Sequence, residues 1–129
     1  MYKEFLRRDN RIAVVGASSN HNKWGYRIYS HLLRGGFKVF PVNPNDASID
    51  GNPCFRDIIS IPEKPDLVIT VVKHEVTESI VREVHEAGVK MVWMQPGSES
   101  RNAIIYCKEH GIEVVYNSCY VVDGLKENW

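Results

Sequence analysis

Gly88-Val89-Lys90-Met91 sets the architecture of this chain, because its pattern occurs three times. Gly36-Phe37-Lys38-Val39 and Gly111-Ile112-Glu113-Val114 repeat the order of glycine, apolar, charged and apolar residues, and a helical pattern ends at each glycine. Glycine just past a helix end takes the left-handed conformation without a Cβ penalty. The apolar, β-branched run after it reads as a buried strand.

From these three marks, strands are expected near Arg11 to Val15, Lys38 to Val42, Leu67 to Val72, Lys90 to Met94 and Glu113 to Tyr116. Their apolar stretches are nearly continuous, as in a sheet with helices on both faces. Trp24, Ile28 and Leu32 recur at spacings of four, with Tyr29 and Leu33 widening the stripe. Val76, Ile80, Val84 and Ala87 form a second helical pattern, and Ala103, Ile104 and Cys107 a third. A shorter helix is expected over Phe55 to Ile59, ahead of Pro62 and Pro65. Strand and helix alternate throughout, and right-handed crossovers make that alternation an α/β domain with a parallel sheet. The expectation is a Rossmann-like three-layer αβα sandwich, with five parallel strands ordered 3-2-1-4-5 and a single domain over residues 1–129.

Sixteen lysines and arginines balance sixteen aspartates and glutamates, so the broad basic surface of a nucleic-acid binder is not expected. Cys54, Cys107 and Cys119 are too few and too scattered for a disulfide scaffold, and no Cys-x-x-Cys pair suggests zinc. A reducing compartment, the cytoplasm, fits them best. The first ten residues include Lys3, Glu4, Arg7, Arg8 and Asp9 and lack the apolar region of a secretory signal. No apolar run approaches the roughly 20 residues of a membrane helix, so no membrane span is expected.

In an open parallel sheet, ligands bind outside the carboxyl ends of the strands, where the strand order reverses. Five loops fall there: Gly16-Ala17-Ser18-Ser19-Asn20, Asn43-Pro44-Asn45, Lys73-His74-Glu75, Gln95-Pro96-Gly97-Ser98 and Asn117-Ser118-Cys119. The first is the strongest signal. Glycine directly after strand one lets the backbone approach a phosphate, and a helix from Trp24 onward offers its N-terminal amides to an anion. Ordinary strand-to-helix turns also favour glycine, serine and asparagine. An NAD site normally has Gly-x-Gly-x-x-Gly and an acidic residue ending strand two, whereas here that strand ends Val42-Asn43-Pro44. There is also no Gly-x-x-x-x-Gly-Lys-Ser/Thr, the loop of nucleoside triphosphatases.

Val14-Val15-Gly16-Ala17-Ser18 with Asn20 and Lys23 following, Pro41-Val42-Asn43-Pro44, Gln95-Pro96-Gly97-Ser98-Glu99-Ser100 and Cys119 are individually weak signals. In this order and spacing they are specific. The run from Ile12 to Cys119 resembles the small stand-alone CoA-binding proteins, a family related to the CoA-binding domain of the succinyl-CoA synthetase alpha subunit. The resemblance implies coenzyme A, or an acyl-CoA, as cofactor and small-molecule partner. It implies the pyrophosphate at Gly16, Ala17, Ser18, Ser19, Asn20 and Lys23, and the adenosine end near Asn43, Pro44, Val72 and Lys73. The pantetheine arm then runs toward Gln95 and Gly97, with the thiol end at Cys119. Lys23, Arg27, Lys73 and His21 carry charge that suits a pyrophosphate and a ribose 3′-phosphate. The sequence departs from the family pattern at Trp24, where a smaller residue is common, and in the tail after Cys119.

Other candidates have plainer readings. His74 and Glu75 suit a helix start or the surface. His31, His85 and His110 sit on helical patterns without ligand spacing, so no metal site is expected. Ser98 and Glu99 could be a nucleophile and its base, but they more simply begin the last helix. Cys107, on an apolar stripe, belongs in the core. No complete catalytic constellation is seen, so a non-catalytic binding or regulatory module is expected. One alternative is an NAD(P)-binding oxidoreductase or redox sensor. Another is a protein-interaction module with a vestigial nucleotide site, whose contact would use Trp129, Tyr2, Phe5 and Leu6. Monomer and homodimer both stay open, since helices on a small sheet can leave an apolar face for an isologous contact.

Overall fold

Five apolar runs build one all-parallel sheet in the computed structural model, which describes residues 2–129. In chain order the elements are β1 (Arg11–Val15), α1 (Trp24–Arg34), β2 (Lys38–Val42), the hairpin strands β3 (Ser48–Ile49) and β4 (Asn52–Pro53), then β5 (Leu67–Thr70). They continue with α2 (His74–Ala87), β6 (Met91–Met94), α3 (Arg101–Glu109) and β7 (Glu113–Val115). A 3-10 turn over Lys3–Leu6 precedes them and a π turn over Tyr120–Gly124 follows. Gly88 closes α2 as expected, with φ 74° and its N–H directed at the carbonyls of Val84 and His85.

The sheet order is β2-β1-β5-β6-β7. Counted over the five sheet strands this is 2-1-3-4-5, which corrects the expected 3-2-1-4-5. The chain from β2 crosses over β1, and the third sheet strand pairs with the far side of β1, Ile12 opposite Leu67. Pro41 supplies the physical reason, because it stands inside β2 with no N–H to donate and proline belongs on an edge strand. The Pro41 carbonyl accepts from the Phe55 N–H at 2.9 Å, and Asn43 donates to the Phe55 carbonyl at 2.9 Å. A one-residue bridge thus closes the outer edge. It also displaces the helix expected over Phe55 to Ile59, where the chain makes bends and turns instead.

Side chains alternate across the sheet. Ile12, Val14, Leu67, Ile69 and Trp93 face α1 and the two terminal turns, where Phe5, Tyr29 and Tyr120 join them. Ala13, Val15, Val68, Val92 and Met94 face α2 and α3 and meet Val81, Val84 and Cys107. Two stripes differ from expectation. In α1 the buried residues include Ile28, Tyr29 and Leu32, while Trp24 and Leu33 are exposed. In α2 they are Thr77, Val81 and Val84, one step round from the expected Val76 and Ile80. Trp24, Val76 and Ile80 all turn to one cleft. Among the described residues, no helix is long and apolar enough to cross a membrane.

Candidate functional site

The cleft, about 1230 Å³ in volume, lies over the carboxyl ends of the strands. Its centre is the switch point between β1 and β5, from which α1 and α2 leave to opposite faces. Gly16 ends β1 with φ 103°, and a Cβ there would lie 2.2 Å from the Val71 carbonyl oxygen. Only glycine lets the chain turn so close to the loop after β5. Gly25, in the first turn of α1, packs on Gly16 itself: a Cβ would lie 1.8 Å from the Gly16 carbonyl oxygen. Gly25 therefore does the helix-packing work of the last glycine in Gly-x-Gly-x-x-Gly, at a spacing that motif does not contain.

Ten of the expected residues line the cleft. Gly16, Ser18 and Lys23 come from the first loop, Asn43 and Pro44 from the loop after β2, and Val72 and Lys73 from the loop after β5. Gln95 and Gly97 follow β6, and Cys119 precedes the π turn. Ala17, Ser19 and Asn20 do not line it. Ala17 is fully buried and its carbonyl accepts from Asn43 Nδ2 at 2.9 Å. Ser19 donates its N–H and its hydroxyl to Asp46, each at 3.1 Å, and Asn20 Oδ1 accepts from the Asn22 N–H at 3.0 Å. These three shape the loop rather than its surface. Asn43 Nδ2 also donates to Asp46 at 3.1 Å, so this carboxylate is engaged by the loops on either side.

Two expected cations point elsewhere. His21 stacks on Tyr26, ring centroids 3.9 Å apart, and pairs with Asp50 at 3.2 Å. The Tyr26 hydroxyl donates to Asp50 at 2.6 Å, and this bond first, then His21, holds the Asp50 carboxyl below the ordinary aspartate range. Asp50 owes its place to the β3–β4 hairpin, whose Asp50-Gly51 turn has φ of 50° and 81°, a conformation that Asp-Gly favours. Arg27 lies over the rings of Trp24 and Trp129, 4.2 and 5.0 Å from their centroids.

The helix starts differ in a telling way. α1 and α2 have Lys23 and Lys73 at the N-cap, and neither receives a side-chain capping bond. α3 is capped by Ser100, which accepts from the Ala103 N–H at 3.3 Å. A lysine at an uncapped N-terminus adds positive charge to orphan N–H groups at the positive end of the helix dipole. That arrangement is poor for the helix alone and good for an anion. Ser98, expected to begin the last helix, is buried instead. Its hydroxyl lies 2.8 Å from Thr70 Oγ1 and donates to the Gln95 carbonyl at 2.8 Å. Glu99 accepts from the Gly97 N–H at 3.1 Å, and exposed His74 and Glu75 pair with each other at 2.8 Å.

On the C-terminal side, Gln95 accepts from the Tyr120 N–H at 2.7 Å and donates to Cys119 Sγ at 3.4 Å. Cys119 is half-buried and borders the cleft. Burial pushes the Cys107 thiol up to about 11, in keeping with its place in the core, and pushes the Cys54 thiol up as well. Past Cys119, Val122 and Trp129 join the lining. Glu127 anchors this tail by pairing with His31 at 2.9 Å and with Arg8, and these two partners hold its carboxyl below the ordinary glutamate range. Tyr2 and Phe5 pack edge-on against Trp93, with centroids 5.4 and 5.9 Å away; Phe5 is in the core and Tyr2 lies partly buried against it.

A sequence model of the CoA binding domain matches residues 10–124. The chain belongs to this family. The CoA-binding domain is 30% identical over 115 residues to acetate–CoA ligase (ADP-forming) II of Archaeoglobus fulgidus, covering 80% of this chain and 17% of that protein. It therefore spans about a sixth of the length of that relative. It is 28% identical over 120 residues to the uncharacterized protein YneT of Bacillus subtilis, covering 93% of this chain and 89% of YneT. A solved structure of a conserved hypothetical protein from Pyrococcus furiosus superimposes with a TM-score of 0.82 at 39% identity, over 85% of this chain and 95% of that one.

Several lining residues of this CoA-binding domain are absent from the expected set: Gly25, Arg56, Val76, Ile80, Val122 and Trp129. Val76 and Ile80 have the spacing of a core stripe, and periodicity does not distinguish a core from a cleft. Trp129 meets Trp24 from the far end of the sequence, with centroids 5.4 Å apart, so no local pattern announces it.

Proposed function

We propose that this domain binds coenzyme A, or one of its thioesters, as a non-catalytic binding or regulatory module of the cytoplasm. The pair of uncapped, lysine-started helices carries this reading, because coenzyme A has two separate phosphate centres and the cleft offers two such anion positions. The start of α1, with Lys23 and the close turn at Gly16, takes the pyrophosphate. The start of α2, with Lys73 and with Arg56 in the same cleft, takes the ribose 3′-phosphate, and the adenosine lies between Asn43-Pro44 and Val72. The pantetheine arm then passes Gly97 and Gln95 and brings its sulfur to Cys119. A binding role is supported by Ser98, whose hydroxyl is engaged by Thr70 and Gln95 rather than free to attack. An NAD(P) role draws less support, because the Asp46 carboxylate that could meet a ribose is engaged by Ser19 and Asn43.

Calorimetric titration tests the assignment. Lys23→Ala is expected to weaken CoA by about 1.5 to 3 kcal/mol, the value of a charge-assisted hydrogen bond, with the melting temperature nearly unchanged. CoA should raise the melting temperature of the wild-type domain, and NAD and NADP at equal concentration should do little. Larger shifts with either nicotinamide cofactor would overturn the reading. Bound CoA should also protect Cys119 from alkylation, as peptide mapping can show.

A further inference from the structure

We infer that the part of the cleft beyond Cys119 is a lobe for a neutral aliphatic acyl group, so that the preferred ligand is an acyl-CoA and not free CoA. The inference rests on the proposed placement of the CoA sulfur at Cys119. Its starting point is where the exposed apolar surface lies. Of the exposed large hydrophobic residues, Trp24 (54%), Val76 (43%), Val122 (44%) and Trp129 (42%) all border this one cleft. Scattered exposed apolar residues need no explanation, but a group of them at the mouth of a concave site marks apolar ligand surface.

Val76 stands on α2, at the proposed adenosine end. The other three border the cleft from the first turn of α1 and from the tail after Cys119. Val122 is three residues past Cys119 on the π turn, and Trp24 and Trp129 face each other with ring centroids 5.4 Å apart. This wall is held in place. Arg27 lies over both indole rings, and Glu127 ties the tail to His31 and Arg8. Arg27 keeps its charge in these contacts but is not among the residues that border the cleft. The charged group nearest in sequence to Cys119 on this bank is Asp123, which accepts from the Cys119 N–H at 2.7 Å. A thioester with its sulfur at Cys119 has its acyl carbons beside Val122 and the two indoles. An acyl chain ending in a carboxylate would bring like charge toward Asp123, so the lobe selects against it.

Titration of the reduced protein with CoA, hexanoyl-CoA and succinyl-CoA tests this. Each methylene withdrawn from water is worth up to about fourfold in affinity, so hexanoyl-CoA, with part of its chain covered, is expected to bind about tenfold tighter than CoA. Succinyl-CoA is expected to bind no tighter than CoA. V122D should abolish the hexanoyl gain and leave the affinity for CoA within about twofold, and W129A provides the same comparison should V122D fail to fold. Equal affinities for CoA and hexanoyl-CoA, or a preference for succinyl-CoA, would overturn the acyl lobe while leaving CoA binding intact. Failure of the wild-type protein to bind CoA at all would instead remove the reading on which the lobe depends.

Discussion

Two helices, α2 and α3, cover one face of the sheet, whereas α1 covers only part of the other and the two chain ends close the rest. The cores differ accordingly. The α2–α3 face is filled by Val, Ile, Ala, Met94 and Cys107, supplied by the strands and helices on that side and, at Ile58 and Ile61, by the connection between β4 and β5. The α1 face buries Phe5, Tyr29, Phe37, Trp93 and Tyr120. A 3-10 turn and a π turn offer few inward side chains, so wide rings fill the space. Trp93 meets Tyr120 edge-on at 5.0 Å and donates its indole N–H to the Ser118 carbonyl at 2.8 Å, while the Tyr120 hydroxyl donates to the Phe5 carbonyl. The aliphatic face is thus assembled locally and the aromatic face by contacts between the ends of the chain. The aromatic face also carries the bank of the cleft that holds Val122 and Trp129.

Substitutions can break this contrast in order of severity. Trp93→Ala removes the ring that joins both termini and is expected to cost about 3 to 5 kcal/mol in equilibrium denaturation. Val92→Ala, the neighbour on the aliphatic face, loses two methyl groups and should cost about 2 kcal/mol. Equal costs would mean that the faces do not differ in kind. Gly25→Ala forces a methyl group into the Gly16 carbonyl and should cost about 1 to 3 kcal/mol, with loss of CoA affinity because the first loop is pushed off its helix. Retained wild-type affinity would show that close packing there is dispensable.

Smaller effects are expected at the tail. Trp129→Ala gives up an exposed cation–π contact and should cost about 0.5 to 1 kcal/mol, with little change in affinity for free CoA. Glu127 supplies a pH test. Its carboxyl is held low by the hydrogen bond from His31 and then by Arg8. A depressed carboxyl contributes stability that is complete above its unfolded value and lost as pH falls through its folded one. Acidification below the ordinary glutamate range should therefore loosen Trp129, seen as a tryptophan fluorescence change that Glu127→Gln lacks.

What could be read from the amino acids was what short segments determine. The strand runs, the helix ends at Gly36, Gly88 and Gly111, and the first loop at Gly16 all follow from residues within one turn or one strand. Strand order does not, because the partner of Leu67–Thr70 is chosen by the whole connection from β2. Pro41 was the one local clue, and it pointed to an edge. The ten cleft-lining residues were legible because they end strands, whereas Val122 and Trp129 reach the cleft only after the tail has docked on Arg8, Trp24 and His31. Trp24, Val76 and Ile80 were read only as members of helical stripes, and for a physical reason: an apolar side chain that faces a ligand has the periodicity of one that faces a sheet.

Pro41 has one more consequence. An open sheet ordinarily invites another strand at its border, the route by which many β proteins stick to one another. Here the outer side of β2 presents a proline without an N–H, and the Pro41 carbonyl and the Asn43 N–H are already paired with Phe55. The opposite border, β7, is three residues long and begins with exposed Glu113. Neither border is a template for a neighbouring chain, so any assembly of this molecule must form through side chains on its helices and loops rather than by adding strands to its sheet.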